Sequence, residues 1–432
     1  MATNLDIDKI KKIHFIGIGG IGMSALARHF LSEKKTVSGS DRTLTPITKE
    51  LASEGVQIYA EQSAENLSTN IELVIYTEAM TEEHPEMKAA RALNVPMMNY
   101  FEALGLAMNP YYLIAIAGTH GKTTVSAMLT DIFESVDKDP TAIIGSLRAK
   151  TQSNYRAGKS KYAIVEACEY KRDFLHFKPD ILVITNLEHE HVDYYTSLED
   201  VQDAFKTLVS QVNEGGVVIT DTANINITPV IEGAEAKVVN YHDFLELDLP
   251  LKQPGMHNRL NAAAAMAAAA QENISVTDAK QALGDFTGTW RRFEYKGEVS
   301  GAPVYDDYAH HPTEIRAAID GVKELYPDKK IILAFQPHTY SRTAALFGEF
   351  AKAVGQAHEI ILLPVFAARE ENQTGVSSRE LAVKTLETNT NARYIDSLAA
   401  AETAIRKSAD VETVVMIVGA GDVTSLAESL IA

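Results

Sequence analysis

A short segment in the first third of the chain has the composition of a phosphate-binding loop. It reads Gly118-Thr-His-Gly-Lys-Thr-Thr124 and lies between the apolar stretch Leu113 to Ala117 and a helical pattern from Val125 to Phe133. Backbone N–H groups at a helix N-terminus favour anions, a lysine adds positive charge at the β- and γ-phosphates, and a threonine hydroxyl ligates Mg²⁺. We therefore predict that this segment binds ATP and Mg²⁺. The residues expected to contact ATP are Gly118, Thr119, His120, Gly121, Lys122, Thr123 and Thr124.

Carboxylates and imidazoles follow two later apolar stretches, where a metal site would need them. Tyr162 to Val165 leads directly into Glu166, and Ile181 to Thr185 opens into a loop with two histidines and three carboxylates, Asn186-Leu-Glu-His-Glu-His-Val-Asp193. Ligands of parallel α/β sheets bind at the carboxyl ends of the strands. Glu166 by itself is equally consistent with a surface charge, but the density of the later cluster favours function. Cys168 is best interpreted as a small core residue.

A second glycine-rich loop lies near the N-terminus. Gly17, Gly19 and Gly22 form a G-x-G-x-x-G pattern between an apolar stretch and the helical pattern Ser24 to Ser32, and Asp41 follows the next apolar stretch. This arrangement suits a diphosphate, and an acidic residue at that place often binds a ribose. Alone, the loop favours a nicotinamide or flavin dehydrogenase, which leaves the loop at Gly118 unexplained. The diphosphate of a nucleotide sugar would use the same geometry without redox chemistry.

The composition indicates a large globular protein without an extended polyanion-binding surface. A chain of 432 residues exceeds the size of a single core, which stops growing at about 250–300 residues, so we expect two or three domains. The net charge of −18 argues against binding of nucleic acid and of anionic membranes. No apolar run reaches the roughly 18 residues of a membrane span. With one cysteine and no signal-peptide pattern, the expected compartment is the cytoplasm.

Apolar runs rich in Ile and Val alternate with helical patterns along the whole chain, which predicts α/β domains with parallel sheets. We place one boundary near Asn109-Pro110 and another in the Gly- and Pro-containing stretch Lys296 to Pro303. Three domains result, at residues 1–108, 109–295 and 296–432.

Taken together, the motifs resemble the Mur ligases of peptidoglycan synthesis. The phosphate loop of that family begins at the equivalent of Gly118, which accounts for Ile116 where the general motif has a glycine. With the N-terminal glycine loop included, the resemblance spans nearly the whole chain, and it is specific because the motifs occur in the family's order. Besides the two loops, the stretches that carry it are Glu166-Ala-Cys-Glu-Tyr170, Asn186 to Asp193, Gly255-Met-His-Asn-Arg-Leu-Asn261, Arg291-Arg-Phe293, Asp306-Asp-Tyr-Ala-His-His-Pro-Thr-Glu314 and Phe335-Gln-Pro-His-Thr-Tyr-Ser-Arg342. The last two are similar to the alanine-adding members.

The resemblance implies a role for each matching residue. Metal ligands are Thr123, Glu166 and His191, and the catalytic set is Lys122, Glu166, His191, Arg292 and Asp307. ATP would also contact His257, Asn258, Asn261, Arg292 and Asp307. The UDP-sugar would contact Gly17, Gly19, Gly20, Gly22, Met23, Ser40 and Asp41. The amino acid would contact Tyr308, His310, His338 and Arg342.

The resemblance also implies an architecture and a reaction. It implies a Rossmann-like N-terminal domain for the UDP-sugar, a central P-loop ATPase domain and a C-terminal Rossmann-like α/β domain for the amino acid. The carboxylate of UDP-N-acetylmuramate would attack the γ-phosphate of ATP, and the amine of L-alanine would then displace phosphate. Two Mg²⁺ ions, or Mn²⁺, would assist, and the expected state is a monomer or homodimer.

Three other functions stay open at this point. One is the related recycling ligase, which adds a tripeptide to the same sugar nucleotide. Folylpolyglutamate synthetase is more distant and would lack the loop at Gly17. A nucleotide-regulated binding protein would bind ATP without releasing phosphate.

Overall fold

The computed structural model describes residues 5–432, which form three mainly parallel sheets flanked by helices. This confirms the predicted three-domain α/β class. By its internal contacts the described chain divides into two units: residues 5–187, Gln202–Phe244 and Ala264–Ala282 form the first, and Glu188–Val201, Leu245–Ala263 and Leu283–Ala432 form the second. The exact boundaries at residues 109 and 296 stay a prediction.

The N-terminal sheet of the first unit has the strand order β3-β2-β1-β4-β5, with all neighbours parallel. Because the chain crosses from one side of β1 to the other between β3 and β4, the carboxyl ends of β1 and β4 border the place where such folds bind ligands. The strands are β1 Lys12–Ile16, β2 Thr36–Ser40, β3 Gln57–Tyr59, β4 Leu73–Tyr76 and β5 Met97–Asn99, and the helices are α1 Ile21–Ser32, α2 Pro46–Ser53, α3 Pro85–Ala92 and α4 Tyr100–Met108.

The central sheet, also in the first unit, has the order β12-β11-β10-β6-β9-β7-β8, and only β8 is antiparallel to its neighbour. The inner strand β6 is almost wholly buried, which explains its continuous apolar sequence. The strands are β6 Tyr112–Ala117, β7 Thr141–Arg148, β8 Ser153–Arg156, β9 Tyr162–Glu166, β10 Ile181–Ile184, β11 Val217–Thr220 and β12 Lys237–Asn240, and the helices of this region are α5 Lys122–Ser135, α6 Leu198–Ser210, α7 Thr228–Ile231, α8 Met256–Gln271 and α9 Val276–Asp285.

Within the first unit, α1 packs against β8 through buried polar contacts. The Arg28 guanidinium donates to the Asn154 side chain over 2.7 Å, and Asn154 donates to the Ser24 hydroxyl over 2.9 Å. Glu54 accepts from Arg28 Nε over 2.9 Å, so the buried guanidinium has a counter-charge. A buried and satisfied polar set of this kind fixes the position of α1 against the central sheet.

The C-terminal sheet lies in the second unit and has the order β13-β14-β18-β15-β16-β17, with only β13 antiparallel. Alternate residues of β15 enter two separate apolar cores: Leu333 faces one and Ile332 the other, so both faces of the sheet are covered. The strands are β13 Glu294–Val299, β14 Ala302–Asp307, β15 Lys330–Phe335, β16 Glu359–Leu362, β17 Ala392–Tyr394 and β18 Thr413–Val418, and the helices are α10 Pro312–Leu325, α11 Tyr340–Ala345, α12 Phe347–Val354, α13 Ser378–Thr385, α14 Leu398–Ser408 and α15 Thr424–Ile431. Among residues 5–432, no helix is long and apolar enough to cross a membrane.

Candidate active site

The phosphate loop connects β6 to α5, as the sequence predicts. Gly118 has a φ of 126°, and a Cβ there would lie 2.1 Å from the Thr185 hydroxyl, so the position requires glycine on both grounds. The carboxyl end of β10 supports the loop. Thr185 Oγ1 donates to His120 O over 2.6 Å, and Asn186 Oδ1 accepts from His120 N over 2.9 Å. The loop is thus held from the neighbouring strand before any ligand binds.

Lys122 is bound to a carboxylate that the sequence did not single out. Its Nζ lies 2.9 Å from Glu169 Oε2 and 3.1 Å from Thr119 O, and both side chains of the ion pair are largely buried. Burial by itself would lower the pKa of Lys122, but the Glu169 carboxylate outweighs it and raises that pKa above the ordinary value for lysine. Lys122 is therefore a fixed positive charge on the loop.

Glu166 and Thr123 meet beside the loop, as a shared metal would require. Thr123 Oγ1 donates to Glu166 Oε2 over 2.8 Å, and Gly145 N donates to the same oxygen over 3.0 Å. A Cβ on Gly145 would lie 2.1 Å from that oxygen, so β7 leaves room for the carboxylate only because it has glycine there. A hydroxyl and a carboxylate are hard oxygen donors that suit Mg²⁺. These residues fit the predicted metal. Thr124 lies half-buried in the first turn of α5.

The N-terminal glycine loop follows β1 and packs closely on its neighbours. Gly17 has a φ of 83°, and Gly19 N donates to Asp41 Oδ2 over 2.9 Å. A Cβ on Gly22 would lie 2.6 Å from the ring of Tyr100, the first residue of α4. Gly20 has an ordinary negative φ, and a Cβ there would lie 3.6 Å from its nearest neighbouring atom, Cγ of Met23. The Asp41 carboxylate thus caps the loop in the structure.

Ser40 and Met23 are buried in the N-terminal domain, and their predicted contact with the UDP-sugar stays a prediction. Ser40 is fully buried: its hydroxyl donates to Glu86 over 2.5 Å, and its carbonyl accepts from Gly17 N over 2.8 Å. Met23 is buried in the first turn of α1. Ser40 supports the glycine loop from beneath, because β2 pairs with β1 along its whole length and turns the Ser40 side chain into the core.

In the second unit, the residues predicted on the adenine side cluster at the start of α8. Gly255, with a φ of 96°, precedes the helix, and Asn258 Nδ2 donates to Pro254 O over 2.8 Å. Glu324 of α10 accepts from Gly255 N over 3.1 Å and so holds the turn in place. Burial lowers the pKa of His257 to about 4, so its imidazole is neutral at neutral pH. Asn261 is buried one turn further on.

Arg292 precedes β13, and Asp307 ends the neighbouring strand β14, both in the second unit. Asp307 accepts from Phe293 N and from Ala309 N, each over 2.7 Å, and burial raises its pKa to about 6 against the opposing charge of Arg292. The Arg292 guanidinium lies 5.1 Å from the Tyr308 ring centre. Arg291 is the buried member of the pair and donates to Gly421 O over 3.1 Å. Arg292 is therefore the arginine whose side chain is more accessible to a ligand.

The four residues predicted to bind the amino acid lie together in the second unit. The His310 ring centre is 5.5 Å from that of Tyr308 and 6.2 Å from that of His338. Arg342 Nη1 donates to His338 O over 2.7 Å and lies 3.2 Å from His338 Nδ1. Burial, together with Arg342, lowers the pKa of His338 to about 4, and burial lowers that of His310 to about 3. Arg342 is thus a cation among neutral imidazoles.

The loop that carries His191 also belongs to the second unit. Its Glu190 Oε1 accepts from Arg342 Nε over 2.7 Å, and its Glu188 accepts from the Thr313 hydroxyl over 3.0 Å. Burial alone would raise the pKa of Glu190, but nearby positive charge, above all the Arg342 guanidinium, lowers that pKa to about 2. His191 has a φ of 53° and its carbonyl accepts from Tyr194 N over 2.8 Å. A metal shared by His191 and Glu166 stays a prediction.

Glu169 and Glu190 are the charged neighbours that sequence reasoning missed, and each stood beside a residue that it did identify. Glu169 lies within the stretch from Glu166 to Tyr170, and Glu190 lies between two histidines. The local signal was the density of carboxylates near proposed metal ligands. Burial raises the pKa of Cys168 to about 12, which agrees with an unreactive thiol.

Family models and relatives agree with this geometry. Models described as "Mur ligase family, catalytic domain", "Mur ligase middle domain" and "Mur ligase, glutamate ligase domain" match residues 12–112, 116–242 and 291–421. The UDP-N-acetylmuramate--L-alanine ligase of Agathobacter rectalis is 38% identical over 99% of both chains.

Two solved structures resemble the whole chain. The crystal structure of UDP-N-acetylmuramate-alanine ligase from Thermotoga maritima has a TM-score of 0.82 and 30% identity, and the similarity covers 97% of this chain and 98% of that one. The murein peptide ligase of Psychrobacter arcticus has a TM-score of 0.72 at 23% identity, covering 97% and 98% of the two chains, and shares the fold.

Proposed function

The chain belongs to the Mur ligase family, and on that premise we propose that it joins L-alanine to the lactyl carboxylate of UDP-N-acetylmuramate, using ATP and a divalent metal. The observation that carries the proposal is the arrangement at the phosphate loop. Lys122 is a fixed cation there, and the Thr123 hydroxyl, in the first turn of α5, donates over 2.8 Å to the Glu166 carboxylate at the end of β9. Together they supply the charge that a γ-phosphate and its metal require.

The first step transfers the γ-phosphate of ATP to the lactyl carboxylate. The new bond joins a carboxylate oxygen to the phosphorus, and ADP leaves with the electrons of the broken P–O bond. Two anions must approach each other, so positive charge has to be in place beforehand. Lys122 and the backbone N–H groups from Gly118 to Thr123 hold the phosphates. A metal held by Thr123 and Glu166 would neutralise the charge that develops on the phosphoryl oxygens.

In the second step the amine of L-alanine attacks the acyl carbon, and inorganic phosphate leaves. Here the C-terminal residues orient the nucleophile. Arg342 suits the carboxylate of the amino acid because its planar fork offers two parallel N–H donors. His338 fixes that fork through the 2.7 Å bond from Arg342 to its carbonyl. The roles of Glu166 and His191 as residues that would hold a divalent metal, and the adenine contacts of His257 and Asn258, are the finer part of the proposal.

The experiment follows an oxygen atom of the lactyl carboxylate into the released phosphate. The lactyl carboxylate of UDP-N-acetylmuramate is labelled with ¹⁸O, and the protein is incubated with ATP, Mg²⁺ and L-alanine. Attack by that carboxylate on phosphorus leaves one labelled oxygen in the released phosphate, which mass spectrometry detects. Phosphate without label would mean that water attacks ATP, and the proposed mechanism would be wrong. Lys122→Ala is the inactive control.

The recycling ligase is the second candidate, because the fold is shared with the murein peptide ligase of Psychrobacter arcticus. The two activities differ only in the amine. Phosphate release is therefore compared with L-alanine, with the tripeptide and with neither. We expect L-alanine to support turnover at micromolar to millimolar concentration. Turnover with the tripeptide and not with L-alanine would reverse the assignment.

A further inference from the structure

A buried carboxylate is bound to the arginine that the proposed function assigns to the amino acid. Glu190 Oε1 accepts from Arg342 Nε over 2.7 Å, and the two side chains are 8% and 12% exposed. The contact is long-range in sequence and joins residues 152 positions apart. Glu190 itself is held by its loop, whose Glu188 is anchored to the Thr313 hydroxyl of α10.

Neither partner has its hydrogen-bonding capacity filled by this contact. Arg342 uses Nε for Glu190 and Nη1 for His338, and no residue from 5 to 432 accepts from its Nη2. Glu190 Oε2 is buried and has no hydrogen-bond partner in the described part of the chain. His311 Nε2 lies 4.0 Å from that oxygen. The pair therefore presents an unused donor next to an unused acceptor.

A free amino acid carries two opposite charges separated by one carbon atom. Arg342 can pair only with the carboxylate. Moving the ammonium out of water without a partner costs several kcal/mol. The neutral imidazoles of His310 and His338 supply no negative charge. Among the residues around Arg342, Glu190 is the anion whose carboxylate contacts the guanidinium directly.

We propose that Glu190 binds the α-ammonium of the incoming amino acid through Oε2 while Arg342 binds its carboxylate through Nη2. The inference rests on the proposed function, because it places both charges of L-alanine on one ion pair. Glu190 thereby makes the site select α-amino acids over other small carboxylates. It also fixes the nitrogen relative to the carboxylate before the amine reacts.

The competing explanation gives Glu190 a purely structural role as the support of Arg342. The two differ in which part of the ligand they affect. A support acts on the arginine, so its loss weakens every ligand that has a carboxylate. A group that binds the ammonium affects only ligands that have one.

The test uses Glu190→Gln, because glutamine keeps an oxygen that can accept from Arg342 Nε while it removes the charge. Phosphate release gives KM for L-alanine. Competition against L-alanine gives Ki for propionate, which has only the carboxylate, and for L-alaninamide, which has only the ammonium. We expect Glu190→Gln to raise KM for L-alanine and Ki for L-alaninamide by roughly 10- to 100-fold, with Ki for propionate changed less than about threefold.

Arg342→Ala is the complementary variant and should raise Ki for propionate without raising that for L-alaninamide. Glu188→Gln is the matched control, because it removes a carboxylate charge two residues earlier. It should not change Ki for L-alaninamide relative to Ki for propionate. Glu190→Asp shortens the side chain by one methylene and so moves the carboxylate away from the ammonium. If Glu190→Gln does not fold, this variant should likewise raise Ki for L-alaninamide more than Ki for propionate. If the Glu190 variants raised Ki for propionate and Ki for L-alaninamide by the same factor, the inference would be overturned. Absence of turnover with L-alanine in the parent protein would instead reject the proposed function.

Discussion

The Lys122 ammonium and the Glu169 carboxylate form a largely buried ion pair, with Nζ 2.9 Å from Oε2. In the free protein, Glu169 therefore neutralises the Lys122 ammonium, which is the positive charge that ATP needs. The phosphates of ATP carry the same sign as this carboxylate and must either share the lysine with it or replace it. Because breaking a buried pair leaves an uncompensated charge, the free protein depends on Glu169 more than the nucleotide complex does.

We predict that Glu169→Gln lowers the melting temperature of the free protein by a few degrees and increases the stabilisation by ATP. The free variant loses a charged hydrogen bond worth roughly 1–3 kcal/mol, and ATP replaces the lost counter-charge when it binds. Thermal melts with and without ATP measure both effects. Lys122→Ala serves as control and should show almost no ATP-dependent shift. If ATP raised the melting temperatures of parent and Glu169→Gln equally, the phosphates would not substitute for Glu169.

We predict that Gly145→Ala weakens Mg²⁺ binding and leaves the fold intact. The added Cβ would lie 2.1 Å from Glu166 Oε2, so the carboxylate must move away from Thr123. Displaced supports of metal ligands typically cost about 10- to 100-fold in affinity. We expect the Mg²⁺ concentration for half-maximal activity to rise in that range. Gly348→Ala is the matched control, because a Cβ there meets nothing within 4 Å. An unchanged Mg²⁺ dependence would separate Glu166 from the metal.

Gly19→Ala is predicted to weaken the binding of UDP-N-acetylmuramate about tenfold or more and to leave the binding of ATP unchanged. Its Cβ would lie 2.9 Å from Asp41 Oδ2 and 3.0 Å from Thr48 Cγ2, so the loop must shift. Gly20→Ala should have a smaller effect, since its nearest contact is 3.6 Å away. Calorimetric titration with each ligand measures the difference. Tight binding of NAD or NADP to the parent protein would favour the dehydrogenase hypothesis instead.

Asp173 should make the stability of the protein depend on pH. This carboxyl is 6% exposed, and its Oδ2 has no hydrogen-bond partner within residues 5–432. Burial and the neighbouring Glu78, opposed by Lys171, raise its pKa to about 7, whereas an unfolded aspartate titrates near pH 3.9. Between these values the unfolded chain loses the proton first. The folded state therefore loses stability as pH rises through this window.

Asp173→Asn removes this titration while nearly conserving shape. Relative to the parent protein, we expect a melting temperature several degrees higher at pH 8 and a difference that shrinks towards pH 4. Comparing the two proteins at each pH cancels the contribution of all other titrating groups. A difference that is the same at pH 5 and pH 8 would show that Asp173 is ionised throughout.

Local sequence sufficed where an element is buried on both faces. The apolar run from Leu113 to Ala117 corresponds to β6 to within one residue, because a central parallel strand needs continuous apolar residues. The two glycine loops were equally predictable, since each lies between such a strand and a helix.

Other features depend on distant partners and leave no local signal. Strands β7 and β8 contain mixed polar residues, and their antiparallel pairing follows from tertiary contacts. Glu169 pairs with a lysine 47 positions away and Glu190 with an arginine 152 positions away. The burial of Ser40 likewise results from pairing of β2 along β1.

The edges of the three sheets bear on how the protein behaves at high concentration. Among residues 5–432, the edge strands β3, β5 and β17 have three residues each, and β8 and β12 have four. An edge this short exposes too few unpaired backbone groups to template another chain. The edge strand β13 is longer, with six residues, but its ladder is interrupted between Tyr295 and Gly297. Crowded copies of the protein therefore lack a continuous edge on which to begin sheet-like aggregation.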